Sequence, residues 1–377
     1  MKVYFDNAAT TPLDPEVIEA MVPVMRHQFG NPSSIHAYGR ETRTLIEKAR
    51  KTVAGLIHAS PGEIFFTSGG TEANNMALRC SISDLGIKTI VSTAIEHHAV
   101  EHTVEELKQR SMVEVIYLDV NKKGNIRLSD LENVLKSKNH VLVSLMHANN
   151  ELGTLHPVEE IGVLCKKYNA VYHCDTVQTI GHYVHDLRKW HVDFISCAAH
   201  KFHGPKGAGF IYISSRVKIK PFITGGSQER NMRGGTENVY GIAGLAKALE
   251  IAYRDLDKDH RHIAGLRSRM MHRLQDEIPD IQFNSETGKE SLYTVLNVSF
   301  PPCDFAEMLL FNLDIAGIAA SGGSACSSGS DAGSHVLKGI HADPDRPAIR
   351  FSFSKFNTME EVDFAVEKLK EMFLVKA

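Results

Sequence analysis

The amino-acid sequence predicts an α/β protein with a mostly parallel central sheet and helices on both faces. The strand signal is a series of seven short apolar runs, each with the length and residue types of a buried strand: 64–66, 89–91, 113–117, 141–145, 171–172, 194–196 and 210–213. Helical patterns separate many of these runs, near residues 72–84, 98–110 and 157–168. Buried strands that alternate with helices are typical of a parallel sheet.

The elements outside this sheet complete two domains. One helix before the first run is marked by apolar residues that recur every three or four positions on one face: Leu45, Ala49, Val53 and Leu56. Later elements follow a charge-rich helical region near 238–277, whose charges mark a solvated face: strands at 295–300 and 349–353, and a last helix at 359–373. We expect a large domain over residues 15–255 and a small α/β domain over 1–14 and 256–377.

The composition is that of an ordinary globular protein, with 43% hydrophobic and 23% charged residues in 377. A net charge of −3 without a Lys/Arg cluster argues against direct binding of nucleic acid. No run approaches about 20 apolar residues and the first residues lack the apolar stretch of a signal peptide, so no membrane span is expected. The six cysteines form no C-x-x-C pair and no zinc-type spacing, and most sit in apolar patterns, which favours reduced thiols in the cytoplasm.

One cysteine, Cys326, lies in a segment unlike the rest of the chain. Ten of the fourteen positions in 321–334 are Ser or Gly. Such a stretch has too little apolar surface to pack and too much backbone freedom to stay rigid, so the sequence predicts a cysteine on a mobile arm. Taken alone, the same pattern also describes a linker that happens to contain a cysteine.

Polar segments follow four of the predicted strands, where open α/β sheets build their sites. In the first, 67–74, two glycines and a hydroxyl open a helix, and the backbone N–H groups and helix dipole at such a terminus can cradle a phosphate. A plain capping turn is the alternative. In the second, Asp175 follows a buried strand, where a carboxylate needs a cation or a protonated ring nitrogen as its partner. Here a helix N-cap is the alternative.

The other two segments carry a lysine and several histidines. Lys201 lies in a turn between two apolar strands, where partial burial lowers the pKa of an amine and favours Schiff-base chemistry, although a surface lysine is the commoner case. His97 follows another strand and has a ring that can stack on a flat cofactor, unless it caps a helix or packs in the core. The residues that follow it match the H-x-x-E-H pattern of metalloproteases (His98, Glu101, His102), but no third ligand is evident, so no metal site is expected.

These four segments together supply the groups that hold pyridoxal phosphate: a phosphate cradle, a buried carboxylate, a stacking ring and a Schiff-base lysine. In such a site the carboxylate keeps the pyridine nitrogen protonated, so that the ring can accept electrons from a substrate carbanion. The sequence therefore predicts pyridoxal 5'-phosphate as the cofactor.

Nine motifs occur in order along nearly the whole chain: YFDNAATTP (4–12), GNPSSIH (30–36), GGTE (69–72), EHH (96–98), HANNE (147–151), DTVQ (175–178), HK (200–201), RGGTEN (233–238) and GSAC (323–326). In these motifs the chain resembles the cysteine desulfurases of the NifS/IscS type, which are pyridoxal-phosphate enzymes of fold type I in the class V aminotransferase group. The resemblance implies a large domain with a mostly parallel seven-stranded sheet, a smaller α/β domain and a homodimer.

The resemblance also implies roles for individual residues. Lys201 carries the cofactor as a Schiff base, Asp175 pairs with the ring nitrogen, and His97 stacks on the ring and shuttles protons. The ring hydroxyl is expected to contact Asn149 and Gln178. The phosphate is expected to contact Gly70, Thr71, His200 and, across the homodimer, Thr236 of the partner subunit. The substrate carboxylate is expected to bind Arg350, with Asn31 and Asn149 nearby.

The implied reaction is the conversion of L-cysteine to L-alanine. The sulfur passes to Cys326 as a persulfide and then to an acceptor protein in iron–sulfur cluster assembly or tRNA thiolation. No metal is implied, apart from a transient iron–sulfur species at Cys326. Enzymes of the same cofactor class remain alternatives: a selenocysteine lyase, a cysteine sulfinate desulfinase, or an aminotransferase, which has no use for Cys326. A non-catalytic subunit should have lost Lys201 or Cys326.

Two features depart from the family pattern. Ala198 stands where the family usually has a serine that donates to the phosphate, and losing that hydrogen bond costs ~1 kcal/mol or somewhat more. We therefore expect weaker retention of the cofactor. The chain also ends soon after its last predicted helix, whereas members that dock on an iron–sulfur scaffold protein often carry a C-terminal extension, so docking on a scaffold is left open.

Overall fold

The computed structural model describes residues 1–288, 291–322 and 333–374. Within these residues the strands are β1 (Val3–Tyr4), β2 (Ile64–Thr67), β3 (Thr89–Thr93), β4 (Glu114–Leu118), β5 (Val141–Ser144), β6 (Val171–Asp175), β7 (Phe194–Ala198), β8 (Gly209–Ile213), β9 (Gln282–Phe283), β10 (Val295–Ser299), β11 (Ile318–Ala319) and β12 (Ala348–Ser352). The helices are α1 (Pro15–His27), α2 (Ala37–Leu56), α3 (Gly70–Leu85), α4 (His98–Gln109), α5 (Leu128–Ser137), α6 (Val158–Lys167), α7 (Leu187–Trp190), α8 (Gln228–Asn231), α9 (Val239–Arg254), α10 (Leu256–Glu277), α11 (Leu309–Ile315), α12 (His335–Gly339) and α13 (Met359–Leu374).

The large sheet has seven strands in the order β2-β8-β7-β6-β5-β3-β4. Only β8 runs antiparallel to its neighbours, and the pairs from β7 to β4 are parallel. All seven predicted apolar runs are strands of this sheet, so the prediction of a mostly parallel seven-stranded sheet is confirmed. Because β5, β6 and β7 are parallel neighbours, their carboxyl ends meet at one edge of the sheet, where the site lies.

Two smaller sheets lie outside the large one. β12, β10 and β9 form an antiparallel sheet in that order, and β1 pairs with β11 in parallel. Their apolar side chains share a core with α10 and α13 that includes Phe5 and Phe351. A separate core lies between the large sheet and helices α1, α2 and α9. The division into residues 15–255 and the remainder stays a prediction, which these separate cores support.

The charge-rich region near 238–277 forms two helices, because α9 ends at Arg254 and α10 begins at Leu256. α9 is buried along most of its length. α10 buries a single stripe that includes Ile263, Leu266 and Met270 and exposes most of its charged residues, as the sequence predicts. In the described parts of the chain, no helix combines the length and the apolar character needed to cross a bilayer.

Candidate active site

A cavity of about 220 Å³ opens at the carboxyl ends of β6 and β7, beside the first turn of α3. The N-terminal segment after β1 and the strand β12 close its other sides. Eight of the predicted site residues line it: Gly70, Thr71, His97, Asp175, Gln178, His200, Lys201 and Arg350. They come from widely separated parts of the chain, and the fold brings them together.

Lys201 ends a 3-10 turn, Ala199–Lys201, that directly follows β7. Its Nζ donates hydrogen bonds to the carbonyl oxygens of Ala8, at 2.5 Å, and Ala9, at 2.8 Å. Gln178 Nε2 also donates to the Ala8 carbonyl, at 3.1 Å. The N-terminal segment therefore supplies backbone acceptors that hold the amine in the cavity.

Asp175 is the last residue of β6 and is only 6% exposed. Its Oδ1 accepts the backbone N–H of Val177 at 2.9 Å, and its Oδ2 accepts Nδ2 of Asn74 at 2.6 Å. Asn74 is itself oriented, since its Oδ1 accepts from Nε2 of His173 at 3.1 Å and from the Ser196 hydroxyl. Two donors thus fix the carboxylate at the cavity wall. Sequence reasoning did not assign a role to Asn74, although it lies in the glycine motif of α3.

No side chain among the residues that the structure describes caps the N-terminus of α3. Gly69, the residue before the helix, has φ +153°, which strongly favours glycine. A Cβ on Gly70 would lie 2.6 Å from Cγ2 of Val177 and 3.8 Å from Cβ of Ala198, so the small residue lets the helix terminus approach the ends of β6 and β7. First-turn N–H groups without a side-chain cap favour a phosphate cradle over a plain capping turn.

His97 caps the N-terminus of α4, which is one of the alternatives in the sequence, and it also lines the cavity. Stacking of its ring on a cofactor stays a prediction. Its Nδ1 accepts the backbone N–H of Ala99 at 3.0 Å, which places the proton of the neutral ring on Nε2. Burial, together with the charge of Lys201, lowers the pKa of His97 to about 4. The same two causes lower the pKa of His200 to about 4, so both rings are neutral at pH 7.

Arg350 lies on β12 and its side chain is 1% exposed. One guanidinium nitrogen, Nη1, donates to the Asn150 carbonyl at 2.9 Å, and the other, Nη2, lies 2.7 Å from Oδ1 of Asp6. Among the described residues its Nε has no hydrogen-bond partner. The guanidinium is therefore held from two sides and still offers donor N–H groups to an anion in the cavity.

Asn149, which we expect at the ring hydroxyl and near the substrate carboxylate, does not line the cavity. Its side chain is fully buried away from the cavity, where Nδ2 donates to the Ile95 carbonyl at 2.8 Å and Oδ1 accepts the N–H of Leu152 at 2.8 Å. The next residue, Asn150, lines the cavity, and its buried Oδ1 has no partner among the described residues. Two adjacent asparagines follow β5, and the turn decides which one faces the site.

Three further predicted residues lie elsewhere. Asn31 is exposed in the turn before α2, where its Oδ1 accepts the Ser33 N–H at 2.9 Å, and it does not line the cavity. Thr236 is exposed and lines a different cavity. Its expected contact crosses to a partner subunit and stays a prediction. Cys326 and most of the 321–334 segment lie outside the described residues.

The fold and the site define a pyridoxal-phosphate-dependent enzyme of fold type I. A family model described as Aminotransferase class-V matches residues 3–364. A cysteine desulfurase IscS of Dictyoglomus turgidum is 43% identical over 376 residues, which is 98% of this chain and 94% of the relative. A cysteine desulfurase IscS of Methanosarcina thermophila is 42% identical over 375 residues, 98% of this chain and 91% of the relative.

Solved structures of other proteins are similar to this chain over almost its whole length. One described as a NifS-like protein has a TM-score of 0.90 and 41% identity and covers 99% of both chains. Another, SspA in complex with cysteine, has a TM-score of 0.81 and 30% identity over 95% of this chain and 100% of that chain. The chain belongs to the class V aminotransferase family, and within it to the cysteine desulfurases of the NifS/IscS type. The resemblance inferred from the motifs is confirmed.

Enzymes of this family depend on pyridoxal phosphate, and the described residues fit that group. The cavity contains an amine, Lys201, for covalent attachment and a doubly fixed carboxylate, Asp175, for a ring nitrogen. The uncapped start of α3 suits the phosphate. Ala198 lies at the same wall but offers no hydroxyl there.

Proposed function

We propose that this protein is a cysteine desulfurase that converts L-cysteine to L-alanine and passes the sulfur, through a persulfide on Cys326, to an acceptor. The observation that carries the proposal is the convergence of Lys201, Asp175 and Arg350 on one cavity. It is supported by relatives named cysteine desulfurase over almost the whole chain.

Binding of the cofactor is assigned to residues at three walls of the cavity. Asp175 pairs with the ring nitrogen, and His97 stacks on the ring. Gln178 approaches the ring hydroxyl, together with Asn150 in place of Asn149. The phosphate is assigned to Gly70, Thr71, His200 and Thr236 of the partner subunit.

The first chemical step is removal of the Cα proton. Bound pyridoxal phosphate supplies an electron sink for the negative charge that develops at Cα. The Arg350 guanidinium orients the substrate by pairing with its carboxylate. The Lys201 amine then takes the proton as general base, a role worth roughly 10²–10⁴ in rate.

The second step transfers sulfur. The Cys326 thiolate attacks the substrate sulfur, so that an S–S bond forms while the Cβ–S bond breaks and its electron pair stays with carbon. The proton lost by the Cys326 thiol goes to Cβ, the proton held by the Lys201 amine returns to Cα, and alanine leaves. One cysteine and one thiol thus yield one alanine and one persulfide, without an external oxidant.

The proposal also includes the oligomeric state, the compartment and the sulfur acceptor. A homodimer is supported by the position of Thr236, which is exposed on the single chain. A reducing compartment such as the cytoplasm is supported by four buried cysteines that form no disulfide: Cys80, Cys165, Cys174 and Cys197. The sulfur acceptor is proposed to be a protein of iron–sulfur cluster assembly or of tRNA thiolation.

The proposal is tested by incubating the purified protein and pyridoxal phosphate with L-cysteine and a thiol reductant. We expect alanine and sulfide in equal amounts, with no 2-oxo acid required. Failure to form alanine, or formation of alanine only with an added 2-oxo acid, would overturn it.

Introducing a serine at position 198 is expected to strengthen cofactor binding. Ala198→Ser adds a hydroxyl beside the start of α3, and one hydrogen bond of about 1 kcal/mol lowers the Kd for pyridoxal phosphate about fivefold. The measurement is reconstitution of cofactor-free protein, followed by the absorbance of the bound cofactor. An unchanged or higher Kd would contradict the assignment of this wall to the phosphate.

Replacing Arg350 with lysine is expected to weaken substrate binding. A lysine cannot make the bidentate pair with a carboxylate, so the KM for L-cysteine should rise at least about tenfold, with a smaller change in kcat. Arg346→Lys is the matched control, since Arg346 is also buried and pairs with Asp280 at 2.7 Å, but outside the cavity. An equal rise in KM in both variants would show that Arg350 does not bind the substrate carboxylate.

A further inference from the structure

Three side chains from two helices bring metal-ligating atoms together outside the cofactor cavity. His98 and Glu101 lie in the first turn of α4, and His335 is the first residue of α12. One ligand atom of each lies within 4.8 Å of the other two. Sequence reasoning set aside the H-x-x-E-H pattern because no third ligand was evident. The fold supplies that ligand from a residue 234 positions beyond Glu101.

The distances in this cluster are close to those of a coordinated ion. Nδ1 of His98 is 2.9 Å from Oε2 of Glu101, and Nε2 of His335 is 3.7 Å from the same oxygen. Two ligands bound to one Zn²⁺ at about 2.1 Å in tetrahedral geometry lie roughly 3.4 Å apart. Small side-chain movements are enough to bring these atoms to that spacing.

His102 lies one helical turn beyond His98 on α4 and is a candidate for the fourth ligand. Nε2 of His102 is 3.9 Å from Oε2 of Glu101, and its ring stacks on that of His98 with centroids 4.7 Å apart. The His102 side chain is 72% exposed, so it is able to turn toward an ion. Three imidazoles and one carboxylate are a ligand set that suits zinc and similar divalent transition metals.

His335 gives up one hydrogen bond when it binds a metal. Its Nε2 lies 2.8 Å from the Glu96 carbonyl oxygen, which places the ring proton on Nε2 in the metal-free protein. Its Nδ1 is buried and has no hydrogen-bond partner in the part of the chain that the structure describes. Moving the proton to Nδ1 frees the Nε2 lone pair on the side of the ring that approaches Glu101.

We propose that His98, Glu101 and His335, with His102 as fourth ligand, form a binding site for one divalent transition-metal ion, of which Zn²⁺ is the best match. The carboxylate and three neutral rings carry one negative charge, which complements the ion. The site joins α4, which begins directly after His97, to α12, which begins shortly after residues 323–332. It does not depend on the proposed sulfur transfer.

The test is a zinc titration of the untagged holoenzyme, monitored by competition with a chromophoric chelator. We expect one Zn²⁺ per chain at micromolar affinity in both the wild-type protein and Cys326→Ser, since the cysteine is not a ligand. The double variant His98→Gln/His335→Gln should bind at least about tenfold more weakly, because even outer-shell partners of a metal contribute that much. His341→Gln, an exposed histidine just beyond α12, is the control and should bind as the wild type does.

Glu101→Gln provides a second variant that preserves side-chain shape, in case the double variant does not fold, and it too should weaken zinc binding. Co²⁺ in place of zinc should give the visible absorption of a tetrahedral nitrogen–oxygen site without a thiolate charge-transfer band. Wild-type stoichiometry and affinity in the double variant or in Glu101→Gln would overturn the site. So would loss of zinc binding in Cys326→Ser, or no binding by the wild type.

Discussion

Lys201→Ala is expected to reduce alanine formation from L-cysteine by at least about 10³-fold. The change removes the amine that we propose attaches the cofactor and takes the Cα proton as general base, and base removal alone costs roughly 10²–10⁴. The cavity holds other titratable groups, but His97 and His200 have pKa values of about 4 and are poor replacements for an amine. The measurement is the initial rate of alanine formation with saturating pyridoxal phosphate.

Lys206→Ala is the matched control for this prediction. Lys206 lies five residues further along the same connection between β7 and β8 but is exposed and does not line the cavity. It should leave the rate within about twofold of the wild type, as expected for a surface substitution that costs little free energy. A Lys201→Ala protein that retains a tenth of wild-type activity would contradict the role of Lys201.

Asp175→Asn is expected to reduce turnover at least about 10²-fold while the protein remains folded. The change removes the anionic partner that we propose for the ring nitrogen, and loss of one preorganised electrostatic contact costs roughly 10²–10³ in rate. In the wild-type protein, Nδ2 of Asn74 donates to Oδ2 of Asp175 at 2.6 Å. The amide of the variant can place a second NH₂ group opposite this donor. Turnover and the absorbance of the bound cofactor should change together.

The control for Asp175 is another buried carboxylate outside the cavity. Asp193 accepts the backbone N–H of Tyr172 at 3.0 Å and pairs with Arg216 at 2.7 Å. Asp193→Asn is expected to lower the thermal midpoint but to preserve kcat in the protein that remains folded. Equal losses of kcat in the two variants would show that buried charge, rather than the ring contact, explains the effect of Asp175.

The strands of the large sheet were predictable because each is a short apolar run between helical patterns. That order along the chain also placed Asp175 and Lys201 at strand ends, and the parallel pairing of β6 and β7 brings those ends together. The separation of α9 from α10 at Asp255 was not visible, because charged residues continue through the junction.

Other parts of the site depend on geometry that a linear pattern does not contain. The motif around Asn149 and Asn150 identifies the right turn, but backbone direction decides which amide faces the cavity. The carbonyl oxygens of Ala8 and Ala9 reach Lys201 across more than 190 residues, a contact that no local spacing encodes. Outside the cavity, the contact between the rings of His335 and His98 also joins residues far apart in the chain, so no local spacing encodes it.

In the proposed reaction, sulfur from L-cysteine is transferred to Cys326. The most direct measurement is mass spectrometry of peptides from the holoenzyme after brief incubation with L-cysteine in the absence of reductant. We expect the peptide that contains Cys326 to gain one sulfur atom, with one alanine formed per modified chain, and Cys303 to remain unmodified. Alanine formation with the persulfide on any other cysteine, or with none on Cys326, would contradict sulfur transfer to Cys326.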